Sequence, residues 1–470
     1  MTAEILNLKS KISNSQSGTI IVYNLVVIFI FAMVMVGVLA YAAAQLRVIR
    51  STVNREQAFD IAEAGVNYYQ WRLAHFTTDY WDGNASTTPG PYIHDYIDKD
   101  TNQKIGEYSL QITPPLPGST IVTIKSTGYT TDNTKQKRTV TVRYGIPSLA
   151  QYGFLTHSYV SVGSATTFYG KFHSNSGIQF NGVGNAPITS AKTNYTCQSG
   201  DGCSGTHAAI WGTAPASTQA FWQVSVPDIL FSSFTGNFSD LENMATGQAD
   251  LPPSGSGYYG YSLVFNSNAT VSVYKVNGLR THGTGYDTLG QAHSEDIDYS
   301  STGRVLQYTM TMPSSGVIFV KDNVWVEGVV NGRVTVAATK YTTTANQQAK
   351  IYIPNNITYL AKDGNHVLGL MAERNVLVTY YSPNDLEINA AMIAQNGAIQ
   401  RFCFSNTTKN TLTVYGSISS FLRAAFYSYC SGYSGYQTRN YTYDSNLLYG
   451  PPPGYPLSSE GYQQISWTSD

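Results

Sequence analysis

The chain has 470 residues, which is too long for one ordinary compact core and predicts either several domains or one elongated repetitive domain. Charged residues make up only 12% of it, whereas glycine (41 residues) and tyrosine (36 residues) are abundant, a composition typical of strands and turns at a cell surface. The formal net charge of -1 offers no basic excess to neutralise a phosphate backbone, so no general nucleic-acid-binding function is supported.

The first predicted element is a long N-terminal helix. Residues 20–46 are almost wholly apolar, and at about 1.5 Å per residue they can span about 30 Å of hydrocarbon. A cleaved secretory signal would have a shorter apolar core, and here helical sequence continues without proline to about Ala74. The sequence therefore predicts one helix over 19–75, transmembrane at first and then amphipathic, with Val48, Phe59, Ala62 and Val66 on one face.

The charges around this helix do not give a simple orientation. Lys9 and Lys11 precede the apolar run, whereas Arg47, Arg50 and Arg55 follow it, and the positive-inside rule then favours a cytoplasmic C-terminal portion. The paired-looking cysteines and the charge-poor downstream sequence favour an oxidising exterior. We expect a protein of the cytoplasmic (inner) membrane with an extracytoplasmic C-terminal domain.

Two N-terminal motifs carry a family resemblance. Residues 17–22 (SGTIIV), which follow a short basic leader, resemble the processing region of type IV prepilins, in which a peptidase cuts after the glycine. Residues 58–65 (AFDIAEAG) are similar to the A-F-x-x-A-E-A-G signature of PilX-type minor pilins, with Ala62, Glu63, Ala64 and Gly65 as its second half.

The resemblance implies a leader at 1–18, with Gly18 as its last residue and Thr19 as the first mature one. Most pilins have glutamate at the fifth mature position, where this chain has Tyr23. A subunit without that carboxylate should fit poorly into the repeating filament body, which favours a minor, priming or tip role. The alternative is a signal anchor that is never cleaved.

Downstream of the helix the sequence is mainly β. Strand-like runs at 105–112, 121–124 and 139–142 predict a small antiparallel sheet, and we assign 76–149 to a small β-hairpin domain. Short strands closed by Gly and Asn corners over 150–432 predict an extracytoplasmic β-solenoid of the right-handed β-helix kind. A β-sandwich is the alternative. Residues 433–470 are interpreted as a Tyr/Pro-rich tail.

Parts of this β region also resemble the large domains attached to PilX-type helices. The matching segments are residues 170–175 (GKFHSN) and 367–372 (VLGLMA), and residues 443–456 resemble a Pro-rich closing segment of the same kind of protein. The resemblance therefore touches both ends and the middle of the chain. The helix signature is its most specific part.

The four cysteines all lie downstream of the helix and allow three disulfide connectivities. The local pairs, Cys197 with Cys203 and Cys403 with Cys430, are the easiest to close. A zinc site is an alternative, but neither pair has C-x-x-C spacing. Four free buried thiols are a second alternative.

Little in the sequence points to catalysis. His293, Glu295, Asp296 and Asp298 form the densest titratable cluster and could bind a cation or perform acid/base chemistry, although a solvated loop is the favoured interpretation. His173 is interpreted as a hydrogen-bonded corner histidine in preference to a catalytic base. P-loop, G-x-S-x-G and H-E-x-x-H motifs are absent from the sequence. We expect a non-enzymatic protein without a cofactor.

The resulting hypothesis is a structural, type IV pilus-like minor pilin or pseudopilin that displays a β-rich domain for adhesion or filament assembly. Its expected partners are the membrane, other pilin subunits through the N-terminal helix, prepilin peptidase, and a surface glycan or another cell-surface ligand. One alternative is a permanently anchored adhesin or glycan-binding β-helix protein. Another is a carbohydrate-active enzyme.

Overall fold

The computed structural model describes residues 17–231 and 237–470, and the chain divides into two compact units. The described residues of Met1–Pro114, together with Val122–Arg143 and Gln464–Asp470, form the first unit. Pro115–Ile121 and the described residues of Tyr144–Gln463 form the second. The architecture is mainly β, with one long N-terminal helix.

The first unit combines that helix with an antiparallel sheet. Helix α1 extends without a break over Ser17–His75, as predicted from the apolar run and the absence of proline. The five sheet strands are β1 (Tyr92–Ile97), β2 (Lys104–Thr113), β3 (Ile121–Thr130), β4 (Arg138–Gly145) and the C-terminal β36 (Gln463–Ser469), adjacent in that order. The small antiparallel sheet is thereby confirmed. It is larger than predicted because strands from both ends of the β region join it.

One face of this sheet packs on the C-terminal part of α1. Strand β3 alternates between buried and more exposed residues, and β2 pairs with it antiparallel, Glu107 opposite Tyr129. Successive side chains point to opposite faces, so the alternation gives one apolar face. The helix residues buried against it recur at spacings of three and four: Ala58, Ile61, Ala62, Val66, Tyr69 and Leu73.

The second unit contains the remaining elements. Its strands are β5 (Phe154–Thr156), β6 (Val160–Val162), β7 (Thr166–Tyr169), β8 (Phe172–Ser174), β9 (Ile178–Phe180), β10 (Val183–Gly184), β11 (Ile188–Ser190), β12 (Asn194–Thr196), β13 (Thr206–Ala208), β14 (Ile210–Trp211), β15 (Trp222–Gln223), β16 (Asp250–Leu251), β17 (Gly260–Asn266), β18 (Thr270–Val276), β19 (Leu279–Arg280), β20 (Gly285–Tyr286), β21 (Ala292–His293), β22 (Asp298–Tyr299), β23 (Arg304–Thr311), β24 (Val317–Val320), β25 (Val324–Val330), β26 (Arg333–Ala338), β27 (Ile351–Ile353), β28 (Ile357–Tyr359), β29 (Val367–Ala372), β30 (Val376–Val378), β31 (Asp385–Ala394), β32 (Ile399–Arg401), β33 (Thr407–Ser420), β34 (Tyr427–Tyr429) and β35 (Tyr433–Tyr443). The second unit also contains two short α-helices, α2 (Ala216–Gln219) and α3 (Asn237–Met244), and several one-turn 3-10 helices.

Most of these strands belong to one large sheet in which most pairings are parallel and in register. Across this sheet, one residue of each strand pairs with one residue of the next, and we call this row of paired residues the file. Its members are Ile318, Val336, Leu370, Met392, Ile418, Phe154, Phe172, Ile188 and Trp222. Every member lies in or packs against one hydrophobic core. This parallel pairing differs from the antiparallel sheets of a β-sandwich.

The order of the strands in space differs from their order in the chain. The file runs from Ile318 to Ile418 with increasing residue number and then continues at Phe154, whose strand β5 pairs with the end of β33. From Phe154 the residue numbers increase again to Trp222. The first strands of the second unit are thus stacked after β33, which lies near the end of the chain.

The segment 433–470 is not a separate tail in the structure. Strand β35, which begins at Tyr433, pairs in parallel with both β33 and β7 and so lies within the large sheet. Strand β36 joins the small sheet. The tyrosines and prolines suggested an irregular segment, but the backbone of β35 supplies the pairing partner that β33 and β7 share.

Candidate functional site

The most distinctive surface of the described chain is the N-terminal part of α1. Every described side chain over 19–53 is exposed, although the segment is dominated by Ile, Val, Leu, Phe and Met. The helix is long and apolar enough to cross a membrane, judged by length and composition. An apolar surface of this extent is unfavourable in water, and lipid or neighbouring helices would cover it.

The predicted processing residues lie at the start of this helix. Gly18 and Thr19 are both within α1, and Thr19 is exposed. Tyr23, at the position where most pilins have glutamate, is also exposed (69%). Residues 1–16 of the predicted leader lie outside the described residues, and cleavage after Gly18 remains a prediction.

The AFDIAEAG motif lies where α1 meets its own sheet. Ala62 and Gly65 are buried, whereas Glu63 and Ala64 are partly buried. A Cβ atom on Gly65 would lie 2.3 Å from Ser126 Oγ and 2.7 Å from the Tyr108 ring. The small residues of the motif therefore allow the helix to approach strands β2 and β3 closely.

The sheet supplies matching glycines that the sequence analysis did not identify. A Cβ atom on Gly128 would lie 2.3 Å from the carbonyl oxygen of Ala58, and one on Gly106 would lie 2.4 Å from Ile61 Cδ1. Each of these glycines interrupts a run of strand-forming residues, which is a sequence signal of close backbone approach. Helix and sheet thus meet through small residues on both sides.

The second motif residue, Phe59, contacts the C-terminal strand. Its ring packs edge-on against Trp467 of β36, with 5.9 Å between the ring centroids. The Arg138 guanidinium lies 5.8 Å from the Phe59 ring. Residues from three distant parts of the sequence therefore hold this section of the helix in place.

Both local cysteine pairs are disulfides in the structure. Cys197 is bonded to Cys203 and Cys403 to Cys430, so all four cysteines are paired. Among the described residues, no group of three or more His, Cys, Asp or Glu side chains is arranged to hold a metal ion.

The titratable cluster at 293–298 does not assemble into one site. His293 lies between Asp287 (Nε2 to Oδ2, 3.1 Å) and Glu295 (Nδ1 to Oε1, 3.2 Å). Asp298 turns away and accepts the backbone N–H groups of Tyr380 and Tyr381. Burial raises the pKa of Asp298.

Asp296 accepts the backbone N–H of His282 at 3.1 Å. Glu295 also pairs with Lys350 at 3.1 Å. Although burial opposes the shift, the hydrogen bond from His293 and the charge of Lys350 lower the pKa of Glu295 to about 2. Asp287, His293, Glu295 and Lys350 thus form a series of ion pairs, which connects the loop to the sheet.

This ion-pair chain gives a pH prediction. The hydrogen bonds to Asp287 and Glu295 raise the pKa of His293 from 6.5 to about 9. Because the folded pKa is the higher one, protonated His293 stabilises the fold fully below about pH 6.5, and this stabilisation is lost as the pH rises through about 9. The midpoint of thermal unfolding should therefore be lower in His293→Gln than in the unmodified chain at pH 6. This difference should be smaller at pH 10, where only the stacking of His293 on Phe402 remains to be lost. The control is His207→Gln, since the His207 ring hydrogen-bonds to the Ser204 carbonyl oxygen and stacks on Trp211, neither of which is acidic. A difference that stays constant with pH would contradict the prediction.

His173, within the segment 170–175, is buried and fully hydrogen-bonded. Its Nδ1 lies 2.8 Å from Thr189 Oγ1, and its Nε2 lies 2.9 Å from Asn175 Oδ1. Burial lowers the pKa of His173. Asn175 in turn binds the backbone N–H and carbonyl of Ile229. The GKFHSN segment thus fastens the connection after β15 to the large sheet.

Comparison with known proteins gives little further information. No protein-family model matches the chain, and no curated protein matches it. Among solved structures, the chain is similar to the crystal structure of the competence-associated pilin ComZ from Thermus thermophilus. The identity is 14%, the alignment covers 89% of this chain and 97% of that chain, and the TM-score is 0.29. At this identity and TM-score, the similarity establishes neither the fold nor the function of this chain.

Proposed function

We propose that this protein is a membrane-anchored, pilin-like structural subunit that displays its second unit outside the cytoplasm. The observation that carries the proposal is the division of α1 into two parts. Its first part is apolar and exposed over 19–53, whereas its last part is buried against the small sheet. One continuous helix thus connects a surface suited to lipid or to other helices with a folded unit.

The finer proposal is a minor, priming or tip subunit of a type IV pilus-like filament. It is supported by the prepilin-like sequence around Gly18, by the AFDIAEAG motif, and by Tyr23 at the position where a major pilin usually has glutamate. In this role the helix would remain in the membrane after removal of the leader. On entering the filament it would pack its apolar surface against the helices of neighbouring subunits. The exposed segment 19–53 is free to do so because the chain's own sheet packs on α1 further along.

We further propose that the large parallel sheet of the second unit is a β-solenoid. The support comes from the file of paired residues, since stacked rungs place equivalent apolar residues above one another in a shared core. A rigid stack of this kind suits a displayed recognition domain, although the fold by itself does not define a ligand.

The test of the filament role is processing and localisation of the full chain. With prepilin peptidase present, the mature N-terminus should be Thr19, and the chain should be found on surface filaments by immunogold labelling. In cells without the peptidase, the leader should remain and the chain should stay in the membrane. Gly18→Leu is the matched variant and should behave like the peptidase deletion. An intact Met1 in both strains would refute processing and would favour the permanently anchored adhesin.

A further inference from the structure

The second unit contains a cavity of about 730 Å³ beside strands that leave the large sheet. Strands β6, β9 and β14 form a three-stranded sheet separate from the large one. The neighbouring segment 423–431 forms a bridge to Gln400 at Ala425 and then turns away to pair β34 with β35. The cavity lies between β6 and this segment.

The rim of the cavity is formed by residues 200–202, 286–288 and 423–431. Tyr286 and Tyr429 on this rim are 40% and 69% exposed, whereas the inner wall contains the buried rings of Phe154 and Phe172. The cavity therefore offers tyrosine rings and polar groups at its rim and apolar side chains further in. Exposed aromatic rings beside polar side chains suit the mixed apolar and hydroxyl surfaces of a sugar.

Covalent and backbone links hold this rim in place. The disulfide joins Cys430, on the segment 423–431, to Cys403. Cys403 and Tyr286 in turn exchange two backbone hydrogen bonds, at 3.0 and 2.8 Å. Two walls of the cavity are thus connected to each other, and a pre-ordered rim loses less conformational entropy when it binds a ligand.

Two carboxylates, Asp201 and Asp287, and two guanidinium groups, Arg423 and Arg439, line the cavity, and they differ in how they are paired. Asp201 pairs with Arg423 at 3.3 Å, and Asp287 pairs with His293, so both lining carboxylates already have cationic partners. Arg439 also lines the cavity and is only 8% exposed.

The Arg439 guanidinium donates to the carbonyl oxygens of Tyr436 and Gln437 and to Thr166 Oγ1. Within the described ranges 17–231 and 237–470 it forms no ion pair with a carboxylate. A buried cation without an anionic partner is costly, and an anion placed near it would be favoured. Arg439, whose guanidinium also lies 5.3 Å from the centroid of the Tyr427 ring, is therefore the lining cation that no described carboxylate neutralises.

We propose that this cavity binds a saccharide that carries a carboxylate, with the sugar ring against Tyr286 and Tyr429 and the carboxylate directed towards Arg439. This inference does not rest on the filament role. A chain that binds such a sugar but never enters a filament would support the sugar site and reject the filament role. A chain that enters filaments but binds no such sugar would support the filament role and reject the sugar site.

The test uses the full chain in lipid nanodiscs, because sugar-based detergents would compete for the site. The probes are oligogalacturonate, a hyaluronan tetrasaccharide and sialyllactose, with lactose and cellotetraose as neutral comparisons, each titrated calorimetrically. At least one acidic probe should bind more tightly than both neutral ones, and its affinity should fall when salt is raised from low to high concentration. Binding of no acidic probe, or equal binding of neutral probes, would overturn the proposal.

Variants locate the binding to this cavity. Tyr286→Ala and Tyr429→Ala should each weaken the acidic probe by about tenfold, the scale expected for loss of one aromatic contact. Tyr259→Ala is the matched control, since Tyr259 is 51% exposed and does not line the cavity. Arg439→Gln should remove the preference for acidic over neutral probes. If Arg439→Gln fails to fold, the salt dependence and the two tyrosine variants still test the proposal. An affinity for the acidic probe that neither tyrosine variant changes would refute the site.

Discussion

Replacing Gly128 with valine should unfold the first unit. A Cβ atom at this position would lie 2.3 Å from the carbonyl oxygen of Ala58 and 2.5 Å from the backbone nitrogen of Ala62. Both atoms belong to the backbone of α1, so no side-chain rotation relieves the clash. Helix and sheet would have to separate, and we expect a loss of about 3 kcal/mol or more, the upper end of overpacking effects.

Hydrogen exchange of the β2 and β3 amides in the full chain measures this loss. A destabilisation of this size corresponds to exchange faster by about 100-fold or more. The matched control is Gly37→Ala, because a Cβ atom on Gly37 has nothing within 4 Å. Unchanged protection of β2 and β3 in the Gly128 variant would show that the close approach of helix and sheet is not required.

A pair of acidic residues in the middle of the exposed helix should release the protein from the membrane. Ile30→Asp combined with Val34→Asp places two carboxylates near the centre of the apolar run. Each costs about 2.5 to 3.5 kcal/mol at the centre of a membrane-spanning helix. The expected result is loss of most of the chain from the membrane fraction after alkaline extraction.

The control for this experiment changes the same charge elsewhere. Ile93 and Ile97 are exposed apolar residues of β1 (61% and 49%), and their double replacement by aspartate should leave membrane association unchanged. If the helix variant stayed in the membrane fraction as firmly as the unmodified protein, the anchoring role of residues 19–53 would be wrong. The proposed function would then lose the observation on which it depends.

The parts of the fold that depend on local sequence could be predicted. Helix α1 follows from its own periodicity and lack of proline, and the cysteine pairs follow from short loops. The pairing of β36 with β4, or of Phe154 with Ile418, joins residues that are far apart in the chain. No local pattern encodes such a partner, so the Tyr- and Pro-rich sequence after residue 433 predicts a tail although β35 lies within the large sheet.

The candidate sites show the same limit. The spacing of His293, Glu295, Asp296 and Asp298 predicts a titratable cluster on a solvated loop. In the structure Asp298 instead accepts the backbone N–H of Tyr380, and His293 pairs with Asp287. The cavity proposed as a sugar site draws its lining from segments around 200, 286, 425 and 439. Only the folded stack brings these segments together.

The rearranged stacking order has a consequence for biogenesis. Strand β5 is synthesised early, yet one of its edges is covered only by the end of β33, which is synthesised much later. Until β33 and β35 are made, β5 and β7 each lack one pairing partner, and the rings of Phe154 and Phe168 can contact a neighbouring chain. A factor that shields these strands, or a low concentration of newly made chains, would therefore set how much protein matures without aggregating.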